Sequence, residues 1–217
     1  VEQFETEAKI LARLNHPNLP RVTDFFQEKK KQYLVMDFIS GNDLQTLMEN
    51  NNNFLPEEKV IQWIADTLKT LDYVHSHGII HRDIKPSNII LRKNKSVVLI
   101  DFNIARKYNA KASRDTKMLG SEAYAPPEQF GYSQTDFRTD IFSFGVTLNE
   151  LITGRLPVEQ LYKGKITRII RKCIEFDPNK RYQTFVEVIR DLRIKKRPYQ
   201  KIIGVTILVT ILLIVSL

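Results

Sequence analysis

Hydrophobic residues recur at helical spacing in two stretches of the chain, residues 1–14 and 56–78. In the first stretch the apolar stripe consists of Phe4, Ala8, Leu11 and Leu14. The second opens with a proline and two glutamates, which favour a helix start, and its stripe consists of Val60, Ile64, Leu68, Leu71 and Val74. We expect both stretches to be helices that bury one face, the second as core scaffold.

Between and after these helices the pattern changes to short β-rich runs. Residues 22–26 and 32–38 flank a charged turn, which predicts one hairpin. Residues 89–91 and 97–100 flank a polar turn and predict a second hairpin. Because the second hairpin ends at Asp101, its return strand should carry that acid back towards the residues that precede the hairpin.

Composition indicates a folded chain with a membrane partner. The 217 residues are 42% hydrophobic and 27% charged, which suffices for the core of one large domain or two small lobes. The net charge is +8, but Lys and Arg are spread along the sequence and their densest cluster precedes an apolar tail, which argues against nucleic acid. Cys173 is the only cysteine, so no intrachain disulfide is possible and a reducing compartment is expected.

The most specific stretch of the sequence runs from His81 to Asn88. It places a carboxylate, an ammonium and a carboxamide within eight positions, at Asp83, Lys85 and Asn88. Pro86 lacks an N–H and disfavours helical geometry in the residue before it, so the segment is expected to be a shaped loop.

This loop and the later Asp101 resemble the catalytic loop and metal-binding motif of eukaryotic-like Ser/Thr protein kinases of the membrane-anchored bacterial type. The resemblance covers about residues 1–194. It implies an α+β, bilobal protein kinase fold, consisting mostly of the helical large lobe with a truncated small β lobe. The alternative without a catalytic role is a polar loop and an unrelated buried aspartate after a strand.

The resemblance also implies the reaction, which is ATP-dependent phosphorylation of Ser/Thr hydroxyls on proteins. Asp83 would be the catalytic base, and Lys85 would neutralise the transferring phosphate. Asn88 and Asp101 would hold Mg²⁺ through hard oxygen ligands. Asn103 stands where the family has Gly, so the segment after Asp101 is expected to switch less easily.

An ATP site between the lobes is a further implication of the resemblance. Glu7, which lies within the apolar stripe of the first helix, would pair with an ATP-holding Lys on a neighbouring strand. Met36 would lie at the back of the adenine pocket, and Asp37 and Ile39 would belong to the hinge. Asp43 would lie near the ribose, and Ile90 would contact the nucleotide from the strand after the catalytic loop. The alternative for Glu7 is a surface acid at the edge of the stripe. Without the downstream motifs, the residues that end the strand would be interpreted as simple core.

Three further residues have structural roles in the family. Glu128 would pair with Arg181, fifty-three positions later, and Asp140 would cap the backbone of the catalytic loop.

His75 and His77 are expected to be structural or exposed, because no Cys or acid lies at metal-ligand spacing from them.

Arg82 and Arg106 predict a phosphorylation switch. Two guanidiniums beside the base would repel each other unless an anion lies between them, and the segment after Arg106 offers Ser113 and Thr116 as phosphate acceptors. The alternative is that both arginines pair with local carboxylates such as Asp115.

The pattern divides the chain into four parts: residues 1–39 form part of the small lobe, 40–194 the large lobe, 195–201 a basic juxtamembrane segment and 202–217 a transmembrane helix that is cut short. The last part has no charged residue and, at ~1.5 Å per residue, reaches roughly 24 Å, against a hydrocarbon core of ~30 Å. The basic segment before it predicts a single-pass protein of the cell membrane with a cytoplasmic kinase domain. The alternative is a buried C-terminal helix.

No glycine precedes the first helix, so the family's Gly-rich phosphate loop and the strand Lys are expected upstream, in a longer kinase. The expected cofactors are ATP and Mg²⁺, and the expected partners are protein substrates and the membrane, with a homodimer as one possible assembly and no nucleic acid. The alternative function is that of a pseudokinase, a membrane-tethered scaffold that is inactive because the ATP-binding elements are absent.

Overall fold

The computed structural model describes residues 11–12, 14–29, 31–102, 106–107, 121–130 and 134–192. The predictions for Glu7, Asn103, Ser113 and Thr116, and for residues 193–217, therefore lie outside the described residues. In the described part, small antiparallel sheets and α-helices form an α+β fold, as predicted. No helix in this part has both the length and the apolar character that are needed to cross a membrane.

The first predicted hairpin is confirmed. Strands β1 (Val22–Glu28) and β2 (Lys31–Met36) pair antiparallel, with Glu28 opposite Lys31. Glu28 and Lys31, which were predicted as part of the turn, belong to the strands, because most side chains of this hairpin are exposed and backbone pairing there does not require apolar residues.

Five helices follow among the described residues: α1 (Leu44–Glu49), α2 (Glu57–Ser76), α3 (Phe137–Thr153), α4 (Thr167–Cys173) and α5 (Phe185–Asp191). The predicted helix after Pro56 is confirmed as α2, and all five residues of its apolar stripe are fully buried. Helices α3 and α5 pack against α2, so α2 lies at the centre of the hydrophobic core.

Helix α3 is fixed at both ends and packs closely against α4. The side chain of Asp136 accepts the N–H of Arg138 at the N-terminus. Gly154 ends the helix at φ 69°, a left-handed conformation that glycine adopts without steric cost. In the middle of the helix a Cβ at Gly145 would lie only 2.5 Å from Cβ of Cys173, so α4 approaches here because there is no side chain.

Three short strands form the sheet beside the catalytic loop. Strands β3 (Asn42–Asp43), β5 (Ile89–Leu91) and β6 (Val97–Leu99) pair in the order β3-β5-β6. The predicted second hairpin is thus confirmed as β5–β6. Strand β4 (Ile79–Ile80) pairs with β7 (Arg106–Lys107), a contact that the hydrophobic pattern did not predict.

Candidate active site

The loop between β4 and β5 brings the two ends of the predicted catalytic segment together. Its last residues, Pro86–Asn88, form one 3₁₀ turn, which begins at the proline because that position needs no N–H donor. Nδ2 of Asn88 then donates to the carbonyl oxygen of Asp83 at 2.8 Å and to its Oδ2 at 3.0 Å. The carboxamide therefore fixes both the backbone and the side chain of Asp83.

The Asp83 carboxylate is held from three sides, and the residue is only 8% exposed. Its Oδ2 also lies 2.9 Å from Nζ of Lys85, while its Oδ1 accepts the backbone N–H of Ser121 at 3.0 Å. The hydroxyl of Ser121 in turn accepts a hydrogen bond from Lys85 at 2.7 Å. The four residues form one small network around the carboxylate.

These contacts keep Asp83 ionised. Burial alone would raise the pKa of Asp83, but the hydrogen bonds from Lys85 and Ser121 and the charge of Lys85 outweigh it and hold the pKa below its ordinary value. The group is therefore a carboxylate at neutral pH, and it can accept a proton only when a reacting group drives the transfer.

The backbone just before Asp83 has an unfavourable conformation that its neighbours enforce. Arg82 has φ 70°, which is uncommon for a bulky side chain. Its N–H donates to Oδ1 of Asp140 at 2.7 Å, and its carbonyl accepts Nε2 of Gln129 at 3.1 Å. The guanidinium donates to Oγ1 of Thr135. Strain of this kind persists only where surrounding groups fix the conformation, as they do here.

Asp140, near the start of α3, is fully buried and joins the loop to the end of α2. Its Oδ2 accepts the N–H of His81 at 2.8 Å and lies 2.7 Å from Nε2 of His75. Burial would raise the pKa of Asp140, but the hydrogen bonds and the neighbouring histidines outweigh it and lower the pKa. This carboxylate occupies the position that was predicted for a cap of the catalytic loop.

The β5–β6 hairpin brings Asn88 close to Asp101. Ile89 pairs with Leu99, so Asn88 lies opposite Ile100, whose N–H donates to the Asn88 carbonyl at 2.9 Å. Asp101 is the next residue and has φ 66°. The two predicted metal ligands therefore lie at the same end of the hairpin.

The donor set at this end of the hairpin suits Mg²⁺. The Asn88 side chain donates to Asp83 through its Nδ2, so its Oδ1 can serve as a ligand beside the Asp101 carboxylate. The described residues contain no group of three or more His, Cys, Asp or Glu that could hold a metal on its own. Mg²⁺ in phosphotransferases commonly takes one or two protein ligands, and the phosphates supply others.

A cavity of about 580 Å³ opens beside Asp101. It is mostly apolar, and its lining includes the predicted contacts Met36, Asp37, Ile39 and Ile90. Its size and the position of Asp101 in its lining suit a nucleotide whose base lies among apolar side chains and whose phosphates approach the metal ligands.

Asp43 is placed differently from the other predicted nucleotide contacts. Its carboxylate accepts the N–H and the hydroxyl of Thr46, each at 2.8 Å, and so caps α1. It is not among the residues that line the cavity. Its contact with ribose stays a prediction.

Glu128 and Arg181 form a buried, bidentate ion pair with N–O distances of 2.6 and 3.0 Å. Nε and Nη2 of Arg181 also donate to the carbonyls of Glu175 and Phe176. The pair thus connects the end of the segment at residues 121–130 with the loop before α5.

The predicted histidines have structural contacts. His75 hydrogen-bonds to Asp140, as described, and Nδ1 of His77 lies 2.9 Å from the carbonyl of Tyr73. Neither belongs to a metal-binding cluster within the described part of the chain.

Sequence reasoning missed a row of three buried hydroxyl residues on α3, which donate hydrogen bonds to the segments around the site. Thr139, Ser143 and Thr147 donate to Glu128 Oε1, to the Tyr124 carbonyl and to the Ile84 carbonyl respectively. Three small hydroxyl residues at four-residue spacing, interspersed with apolar residues of the helix, were the available signal, because buried hydroxyls need partners.

Comparison with known proteins agrees with this geometry. The protein kinase domain family matches residues 1–196. The chain is 33% identical over 91% of its length to a probable serine/threonine-protein kinase of Clostridium perfringens, of which it covers 32%. It is 33% identical over 87% of its length to serine/threonine-protein kinase B of Synechocystis, of which it covers 37%.

A third relative is the serine/threonine-protein kinase PknB of Mycolicibacterium smegmatis, which is 31% identical over 88% of this chain and of which the chain covers 35%. The chain spans about a third of the length of these three relatives. The family match, the relatives and the geometry of residues 81–101 agree. The chain therefore belongs to the protein kinase domain family, and its relatives are bacterial Ser/Thr kinases.

Proposed function

We propose that this protein transfers the γ-phosphoryl group of ATP to Ser or Thr hydroxyls of other proteins. The observation that carries the proposal is the Asp83 carboxylate, which is buried, ionised and oriented by Lys85, Asn88 and Ser121. Such a group suits a substrate hydroxyl, which needs orientation and a proton acceptor rather than a covalent intermediate.

The contacts of Asp83 suggest which oxygen would act. Oδ2 receives both Lys85 and Asn88, whereas Oδ1 receives the Ser121 amide. A carboxylate has about four acceptor sites, so Oδ1 has more capacity left for a substrate hydroxyl. Lys85 bonds to both Asp83 and the Ser121 hydroxyl, and from there its ammonium can neutralise charge on the transferring group.

Asn88 and Asp101 would hold Mg²⁺, and the cavity lined by Met36, Asp37 and Ile39 would hold the adenine of ATP. Bound there, Mg²⁺ and ATP would supply charge neutralisation and the phosphoryl group. Asp101 faces this cavity and Asn88 touches Asp83, so the chain's own residues connect the nucleotide side of the site to the hydroxyl side.

The test is Asp83→Asn in the full-length protein. Nucleotide binding should persist, while phosphoryl transfer to a protein substrate should fall roughly 10²–10⁴-fold, the usual scale for a positioned base. Asp66→Asn, which alters a carboxylate on α2 that forms a surface pair with Lys69, is the matched control and should leave transfer unchanged. Equal transfer by Asp83→Asn and the unmutated protein would remove Asp83 from the mechanism. If the unmutated protein binds nucleotide but transfers no phosphate, the scaffold function is favoured.

We also propose that residues 202–217 anchor the protein in the cell membrane, with the kinase domain in the cytoplasm. The support is their sequence, which is predominantly apolar, has no charged residue and follows a basic segment. The protein should then remain with membranes after a carbonate wash, whereas a peripheral protein would be released. Recovery of the whole chain in the wash would refute the anchor.

Regulation by phosphorylation is the third part of the proposal. A phosphate on Thr116 or Ser113 would carry about −1.5 to −2 charges and could form one to three hydrogen bonds to Arg82 and Arg106. The support is that Arg82 lies in the loop that carries Asp83, directly before the base. The double variant Ser113→Ala, Thr116→Ala should have reduced activity, and full activity would exclude the switch.

A further inference from the structure

One face of the large lobe has an excess of positive charge that the candidate active site does not use. Between residues 161 and 174 the sequence has no acid and five cations: Lys163, Lys165, Arg168, Arg171 and Lys172. Helix α4 buries Ile169, Ile170 and Cys173, so the cationic residues are left on its outer side. We call these five cations the basic face.

The charge of the basic face is not compensated within the described part of the chain. None of the five cations forms an ion pair with a described carboxylate. Lys172 lies 4.0 Å from the ring centroid of Tyr182. An open groove of about 550 Å³ runs between four of the cations, with Glu175 as the one acid in its lining. A surface of this kind attracts an extended anionic partner.

The basic face adjoins the last described residues of the chain. The hydroxyl of Tyr182, under Lys172, donates to Oδ2 of Asp191 at 2.7 Å, and Arg168 is close enough to interact electrostatically with Tyr182. Asp191 is the last residue of α5, and the described residues end at Leu192. The basic face and the end of α5 are therefore neighbours.

The sequence after Leu192 is also basic. From residue 193 to 201 it contains no acid and five cations, Arg193, Lys195, Lys196, Arg197 and Lys201, and the apolar segment begins at Ile202. Even fully extended, ten residues span at most about 36 Å. A tether this short keeps the domain close to any bilayer that holds residues 202–217, which raises the effective concentration of the lipid surface.

We propose that the basic face docks on the anionic surface of the leaflet from which residues 202–217 enter the membrane. The proposal rests on the membrane anchor proposed above. Each Lys or Arg near an anionic bilayer favours the docked state by about fivefold, so a few cations suffice for a tethered domain. An acidic protein could also complement the face, but only the lipid surface is kept next to it by the chain itself.

The experiment places a fluorophore on the face of the full chain, reconstituted in vesicles. Glu175→Cys provides the label site in the groove, because Cys173 is the only native cysteine and is completely buried. Lipids with a nitroxide on the headgroup quench a fluorophore that touches the bilayer surface. We expect strong quenching in vesicles of phosphatidylcholine and phosphatidylserine, weak quenching in phosphatidylcholine alone, and a decline as salt is raised.

Charge variants of the labelled chain make the test specific. Arg168→Glu with Arg171→Glu should lower the ratio of docked to undocked domain by roughly 25-fold or more, the effect of two lost cations. Lys59→Glu with Lys93→Glu, at exposed sites outside the basic face, makes the same change in net charge and should leave quenching intact. Far-UV circular dichroism and thermal melting check that both variants fold.

The outcomes separate the docking from the anchor. Carbonate-resistant protein with equal quenching in both lipid mixtures, or in both charge variants, would overturn the docking and leave the anchor standing. Release by carbonate would overturn both. Quenching that requires phosphatidylserine and the basic face supports the docking, whereas a fluorophore that responds to added polyglutamate but not to the anionic bilayer would assign the face to an acidic protein and overturn the proposal.

Discussion

At the scale of single residues, two residues of the candidate site have left-handed backbone geometry. Arg82 has φ 70° and Asp101 has φ 66°, and such conformations cost of order 1–3 kcal/mol each when the side chain is not glycine. At Arg82 the conformation is fixed by Asp140 on one side of the residue and Gln129 on the other. The fixed backbone conformation of Arg82 therefore sets the orientation of the next residue, Asp83, in the site.

Asp101 permits a direct test of the metal site. Asp101→Ala should abolish Mg²⁺-dependent nucleotide binding, because Asn88 alone offers one neutral oxygen. Asp101→Asn tolerates the left-handed backbone better than Ala while it removes the charge, so weak binding in both variants would assign the effect to the lost carboxylate. Calorimetric titration of nucleotide with and without Mg²⁺ measures the effect. An unchanged Mg²⁺ dependence would show that Asp101 is not a ligand.

The buried pair of Glu128 and Arg181 should dominate local stability. Glu128→Ala would leave the guanidinium of Arg181, which is 2% exposed, without its carboxylate, and we expect a loss of about 3–5 kcal/mol in the free energy of unfolding. Glu159→Ala is the matched control, because it breaks a surface pair with Arg155 and should cost no more than ~1 kcal/mol. Urea denaturation compares the two, and similar losses would contradict this account.

At the scale of elements, α3 supports much of the site. Its N-terminal Asp140 fixes the backbone of the catalytic loop, and its hydroxyl residues contact that loop and the segment at residues 121–130. On its other side, Gly145 lets α4 approach closely. A change in the position of α3 would therefore be transmitted to Asp83 through several hydrogen bonds at once.

The contact between α3 and α4 gives the element-scale prediction. Gly145→Ala would place a methyl group 2.5 Å from Cβ of Cys173 and 2.8 Å from Cγ2 of Ile174, so the helices must move apart. Overpacking of this kind typically costs about 1–3 kcal/mol. The Cys173 thiol, whose pKa burial raises, should also react faster with a thiol reagent in this variant. Unchanged stability and unchanged thiol reactivity would show that the contact is loose.

The elements that the sequence predicted are those with a local signal. Helix α2 and both hairpins follow from periodicity within each segment, and the order of residues along the second hairpin was enough to place Asn88 near Asp101. The pairing of β4 with β7 could not be predicted, since two residues per strand carry no periodicity. The hydrogen bond from the backbone N–H of Ser121 to Asp83 could not be predicted from the sequence either, because any residue except proline supplies the same donor.

At the scale of the whole molecule, the site and the core share buried ionisable groups. His81 is 0% exposed, and its ring lies 4.5 Å from that of Phe102 between ring centroids. Burial lowers the pKa of His81, although Asp140 and other nearby carboxylates act in the opposite direction. Folding therefore places a neutral imidazole in the core, and the stability of the whole domain becomes linked to pH.

The sign of that linkage gives the last prediction. The ordinary pKa of histidine is about 6.5. Below that pH, His81 therefore binds a proton in the unfolded chain but stays neutral in the folded chain until the pH reaches its lower folded pKa. Stability should consequently fall as the pH drops from ~6.5 towards the lower folded pKa, with a slope of at most ~1.4 kcal/mol per pH unit from this group. Urea denaturation at a series of pH values measures the slope.

His81→Asn tests whether this residue is the source. The amide oxygen can replace Nδ1 as acceptor for the N–H of Asp83, so the variant should fold, with lower stability at neutral pH but a shallower loss on acidification. His16→Asn is the matched control: burial also lowers the pKa of His16, but this side chain is only partly buried, so the variant should remove a smaller part of the slope. If His81→Asn and the unmutated protein lose stability in parallel as the pH falls, the buried imidazole is not what links folding to protons.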